Sequence, residues 1–96
     1  MDGHIFIQRK GDIEQINNHK EYLDNKTTNE LIATYNKSYN LGFVGVHQQA
    51  IFILALHYQF RKRFNTTPIS IEDNILISYK GKIKTIINNT VYYERH

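Results

Sequence analysis

Five histidines, His4, His19, His47, His57 and His96, are the first candidates for chemistry in this chain. Imidazole is a common metal ligand and general base. Two histidines share an ion on a helix when they stand one turn apart, as in HExxH, and no pair here has that spacing. His47 and His57 are ten residues apart on one expected helix, about 80° around its axis and roughly 15 Å along it. They cannot hold one ion. His47 belongs near the helix start and His57 at a core edge, so neither a metal site nor a cofactor is expected.

Acid–base catalysis needs carboxylates, or a histidine–carboxylate pair, positioned in a cleft. Asp12, Glu14, Asp24, Glu30, Glu72 and Asp73 fall instead at expected turns, caps and strand faces. Glu72-Asp73, after Ser70, reads as a capped turn before a strand. No G-x-S-x-G elbow and no phosphate-binding glycine-lysine loop occurs, and the absence of cysteine removes thiolate nucleophiles, zinc thiolates and disulfides. No catalytic residue is expected, and the chain reads as a non-enzyme.

Arg61-Lys62-Arg63 is the strongest basic cluster. In the last turn of a helix, such side chains complement the negative end of the macrodipole. With Lys80, Lys82, Lys84 and Arg95 they could also meet phosphates, with Tyr79, Tyr92 and Tyr93 as stacking surfaces. Gly42-Phe43-Val44-Gly45 resembles the GxxG loop of KH domains in glycine spacing alone. That loop clamps a nucleic-acid backbone with a basic residue between its glycines. Apolar Phe43 and Val44 point instead to a helix–helix turn folding back on the core.

The elements that carry these residues follow from local signals. Thr27-Thr28-Asn29-Glu30 fits a capping box, and Leu31, Ile32, Tyr35 and Tyr39 share one face of a helix over about 27–40. Gly42 supplies its left-handed stop. A second helix spans about 45–64, and Ala50–Leu56, apolar all round, makes it the spine. Asn65-Thr66-Thr67-Pro68 ends it. The flanks read as β-hairpins, 75–79 with 82–86 turning at Lys80-Gly81, and 5–9 with 12–16 turning at Lys10-Gly11. The expected fold is α+β, with two central helices packed on a small sheet from the N- and C-terminal strands.

The two flanks also resemble each other at an offset of 70. They share Ile5/Ile75, Ile7/Ile77, Lys10/Lys80, Gly11/Gly81, Ile13/Ile83 and Ile16/Ile86, which suggests a partial duplication. Their charges are opposed, Asp12 and Glu14 in one against Lys82 and Lys84 in the other. Antiparallel pairing of Ile13 with Ile83 would set Asp12 beside Lys84 and Glu14 beside Lys82. Each such pair contributes ~0.2–1 kcal/mol, enough to choose a register.

The length of 96 residues, 41% of them apolar, suits one small domain, and the formal charge of +3 is unevenly spread. Residues 1–48 carry five bases and six acids, and residues 49–96 carry seven bases and three acids. The N-terminus lacks the pattern of a signal peptide, and no apolar run approaches the ~20 residues that span a bilayer. A cytoplasmic protein with no membrane association is expected. The function expected is protein interaction or self-association, most simply as a homodimer through Asp12, Ile13, Glu14, Lys82, Ile83 and Lys84. The alternative is a nucleic-acid-binding accessory protein using Arg61, Lys62, Arg63, Tyr79, Lys80, Lys82 and Lys84.

Overall fold

A glycine in the left-handed region opens the first helix. Gly11 has φ 93°, and α1 follows it over Asp12–Asp24. The computed structural model describes residues 2–4, 11–42, 47–72 and 76–94. Over that span the elements run β1 (Asp2–His4), α1, α2 (Thr28–Leu41), α3 (His47–Phe64), β2 (Ile69–Glu72), β3 (Leu76–Tyr79), β4 (Ile83–Ile87) and β5 (Thr90–Tyr93). This is an α+β fold with three helices and two small antiparallel sheets, ordered β1-β3-β2 and β4-β5.

Helix α1 overturns the strand expected over 12–16. Asp12, Ile16 and Leu23 are buried, and His19 meets the Phe52 ring edge-on. These four stand at i, i+4, i+7 and i+11, the stripe of a helix packed on one side. Asp12 and Glu14 lie in its first turn, where carboxylates complement the positive end of the dipole. Ile13, expected to pair with Ile83 across strands, is 69% exposed. The first half of the expected N-terminal hairpin, residues 5–10, lies outside the described residues.

The capping box forms as expected. The Glu30 amide donates to Thr27 Oγ1 at 3.1 Å, and the Thr27 amide donates to Glu30 Oε1 at 2.9 Å. Gly42, at φ 73°, stops α2 and donates its N–H to the Ser38 and Tyr39 carbonyls. The packing expected of Phe43 and Val44 lies outside the described residues. Helix α3 is the spine: Ala50, Ile51, Ile53, Leu54, Ala55, Leu56 and Phe60 are all buried. Asp12 meets His47 at one end of the α1–α3 pair and Asp24 meets Lys62 at the other, so the two helices run side by side in the same direction.

The C-terminal strands pair differently from expectation. β3 lies between β1 and β2, with Ile71 opposite Ile77, while β4 pairs with β5. Lys80 and Gly81 therefore link two sheets and do not turn a hairpin. The Lys80 amide donates to the Pro68 carbonyl at 2.8 Å, which extends the β2–β3 pairing by one step up to the link. Ser70 and Glu72 belong to β2, not to a turn. The actual β4–β5 turn is Asn88-Asn89, both at positive φ (50° and 62°), with Ile87 opposite Thr90. Positive φ at both positions is the type I′ form, one of the two-residue turns whose twist matches that of the strands, and asparagine tolerates that conformation.

Candidate interaction surface

The residues expected to pair across strands are not brought together. Asp12 is buried in α1, and its two carboxylate oxygens lie 3.0 and 3.1 Å from His47 Nε2. Glu14 is exposed on the same helix. Lys82 lies 3.6 Å from Glu94, Lys84 is exposed, and Ile83 is buried in the core. The pairing of Asp12 with Lys84 and Glu14 with Lys82 fails because one partner of each pair is helical. Over the described residues, 13–16 are helical and their counterparts 83–86 are strand, so there the likeness is one of residues without one of structure.

The basic residues divide by role. Arg63 Nη2 donates to the Leu23 carbonyl at 2.9 Å and to the Asp24 carbonyl at 3.4 Å, so this guanidinium caps the C-terminus of α1. Lys62 Nζ donates to Asp24 Oδ1 at 2.9 Å and holds that carboxyl below its ordinary range. Arg61, Lys80 and Lys84 are exposed. Tyr79, expected as a stacking surface, is packed against Tyr35 and Tyr39. Its hydroxyl is buried without a hydrogen-bond partner, and burial pushes its pKa up to about 12. Tyr79 is partly buried and packs its ring against the core.

The β4–β5 hairpin exposes Ile87 and Tyr92, and α2 positions it. The Tyr35 hydroxyl, on a fully buried ring, donates to the Gly81 carbonyl at 2.6 Å. Asn36 Nδ2 donates to the Ile83 carbonyl at 2.9 Å, and the Ile83 amide donates to Asn36 Oδ1 at 2.8 Å. The Asn36 amide thereby stands in for a neighbouring strand at this edge of β4. Beneath the hairpin, Ile83 is buried, and Ile86, Val91 and Tyr93 pack on the core. Gly81 lets Tyr93 approach closely: a Cβ there would lie 3.2 Å from Tyr93 Cδ1.

The two edges of this sheet are treated differently. β4 carries Lys82 and Lys84 at its start, a register shift between Ile83 and Thr85, and the Asn36 amide. Lysines, bulges and covering groups are the usual means of blunting an edge. β5 is Thr-Val-Tyr-Tyr, without a charge or a proline, and among the described residues it pairs only with β4. The pair flanking a two-residue turn is hydrogen-bonded and pairs alternate along the ladder, so the Val91 N–H and C=O point away from β4. Tyr92 is 49% exposed and Ile87 54%. Beside them runs an open groove of about 810 Å³ lined by Lys84, Val91, Tyr92, Tyr93 and Glu94.

The sequence reading singled out Lys84, Tyr92 and Tyr93, but missed Thr90 and Val91 as an edge. The signal was available in Asn88-Asn89 between two β-branched and aromatic runs. It also missed the Asp12–His47 pair, whose partners are 35 residues apart and share no motif. Among the described residues no three histidine, aspartate or glutamate side chains gather as a metal site, and no helix is long and apolar enough to cross a membrane. No family model, no curated protein and no solved structure matches this chain.

Proposed function

We propose that this protein is a small non-enzymatic interaction module that self-associates by strand addition along β5. The observation that carries this reading is the contrast between the two edges of one hairpin. β4 is blunted by charge, a bulge and the Asn36 amide, whereas β5 presents an uncharged β-branched and aromatic edge. A two-stranded sheet is marginal alone and gains stability as strands are added. Strand addition supplies main-chain hydrogen bonds along the new edge, while alternate side chains set specificity.

The partner is a second copy of the chain. An antiparallel strand pair is its own two-fold image, so identical edges are self-complementary. Pairing β5 with its copy about Tyr92 puts Tyr92 opposite Tyr92 and Glu94 opposite Thr90. No like charges then face each other, and the two hairpins become one four-stranded sheet. Each aromatic or β-branched cross-strand pair adds ~0.2–1 kcal/mol to the main-chain bonds.

Sedimentation velocity over a range of micromolar concentrations tests the proposal. The expected result is a concentration-dependent dimer that Tyr92→Lys shifts to monomer, since two lysines would then face each other across the axis. A native chain that stays monomeric throughout, or a dimer indifferent to Tyr92→Lys and to Val91→Pro, overturns it.

A further inference from the structure

A second surface, on the other side of the molecule's chemistry, is cationic. Helix α3 exposes a ridge formed by Tyr58, Arg61 and Lys62 in its C-terminal half. On one flank α1 brings Lys20, whose Nζ lies 4.3 Å from the centroid of the Tyr58 ring, and Lys62 reaches Asp24 beside it. These side chains and Gln59 line a groove of about 320 Å³. On the other flank lies His57, one turn before Arg61, with Nδ1 3.2 Å from Thr67 Oγ1. Thr67 precedes Pro68, whose carbonyl holds the Lys80 amide at 2.8 Å.

Lys20 and Lys62 thus flank Tyr58, while Arg61 follows on the same helix and the backbone of Lys80 comes in beyond His57. Arg61 stands one turn after His57 on α3, and the Lys80 amide is held by the carbonyl of Pro68, next to the Thr67 that meets His57, so positions 61 and 80 both lie beside this imidazole. Among the described residues Asp24 is the one acid in ion-pair contact with any of the four. These four cations thus have, among the described residues, one ion-paired acid between them, and such an excess of positive charge attracts polyanions.

We propose that this ridge binds the phosphate backbone of a nucleic acid, with Arg61 and Lys80 as its principal contacts and Lys20 and Lys62 extending the track. Arg61 presents a planar fork suited to a phosphate, and Lys80 a point charge. Lys62 and Lys20 have partial partners in Asp24 and the Tyr58 ring, so each contributes less. The ridge shares no residue with the β5 edge, and this inference stands whether or not the chain self-associates. It also differs from the basic stripe expected from sequence: Arg63 is committed to capping α1, Tyr79 to the core and Lys82 to Glu94.

The test is fluorescence anisotropy with labelled oligonucleotides of about twenty nucleotides, as single-stranded DNA, single-stranded RNA and duplex, titrated at several salt concentrations. Neutralising four phosphates of a single strand gives a log–log salt slope of roughly −3, about a fifty-fold loss of affinity for a four-fold rise in salt. The double variant R61A/K80A should lower that slope by roughly one and weaken binding at low salt. Lys37→Ala, an exposed cation on α2, should leave both unchanged, and circular dichroism checks that each variant is folded. A preference among the three oligonucleotides identifies which form of the backbone is the ligand. Three results overturn the proposal: no binding at low salt, unaltered binding by the folded double variant, or equally tight binding of polyglutamate, which would make the attraction one for any polyanion.

Discussion

The side-chain amide of Asn36 closes both main-chain groups of Ile83, accepting from its N–H at 2.8 Å and donating to its carbonyl at 2.9 Å. One helical residue thus does the work of a paired strand at a sheet edge. The bond pair ties α2 to β4 while the buried Ile83 side chain is held in the core, so the hairpin docks through polar and apolar contacts at one residue.

Asn36→Ala should destabilise the fold by about 1–3 kcal/mol, because it leaves two partly buried backbone groups of Ile83 without partners. For a domain of this size each kcal/mol lowers Tm by roughly 4–8 °C, which thermal melting resolves. Asn36→Asp should be no better than alanine, since a carboxylate accepts from the N–H but repels the carbonyl. A native-like Tm for both variants would show that the amide is incidental to docking.

Two tyrosines packed ring against ring should respond oppositely to loss of the hydroxyl. Tyr35→Phe removes the 2.6 Å bond to the Gly81 carbonyl and should cost about 1–2 kcal/mol. Tyr79→Phe removes a buried hydroxyl that has no partner and should be neutral or stabilising. Urea denaturation of the two variants is a direct comparison. Equal losses would contradict the hydrogen-bond assignment.

His57 should make stability fall on mild acidification. Burial holds its pKa below the ordinary value of 6.5, with Arg61 and Lys80 acting in the same direction and a hydrogen bond to the Ile69 backbone opposing them. Below that value the unfolded chain takes up a proton that the folded chain refuses, so protons favour unfolding. The contribution is fully present above about pH 6.5 and is lost as pH drops towards the folded-state pKa. Denaturation midpoints at a series of pH values, compared with His57→Gln, isolate this slope from the other histidines. A variant with the same slope as the native chain would exclude His57 as its source.

The buried contact between α1 and α3 should be sensitive to loss of its imidazole. His47→Ala removes a partner 3.0 Å from a carboxylate that is itself buried. The expected cost is about 1–3 kcal/mol, larger than for an exposed pair. A double-mutant cycle with Asp12→Asn measures the coupling between the two positions. Additive losses would mean that the two groups do not act together.

Much of the helical framework was legible before any tertiary contact was known. The Thr27–Glu30 box is complete within four residues, Gly42 stops α2 within its own turn, and the Ala50–Leu56 run is apolar enough to be buried in any arrangement. Each of these is a local interaction, closed by neighbours in the chain. The basic residues at the end of α3 were legible as a cluster, but their division between capping α1 and facing solvent was not.

The opposite holds for Asp12 to Ile16 and for Tyr79 to Ile83. Over five residues, alternation of Ile13 with Asp12 and Glu14 fits a strand as well as a helix. What decides for the helix is the stripe from Asp12 through Ile16 and His19 to Leu23, which is favourable only because α3 offers His47 and Phe52 to meet it. Lys80-Gly81 looks like a hairpin turn until β3 is paired on both sides, by β1 and β2, which leaves β4 to pair with β5 in a second sheet. Strand partners, the free β5 edge and the gathering of Arg61 with Lys80 are all contacts between segments distant in sequence. Residue types alone settled where the chain would be helical and apolar at α2 and α3. Only packing decided which polar groups were taken up inside and which were left at the surface, because burial of a donor or an acceptor is favourable solely where its partner is already in place.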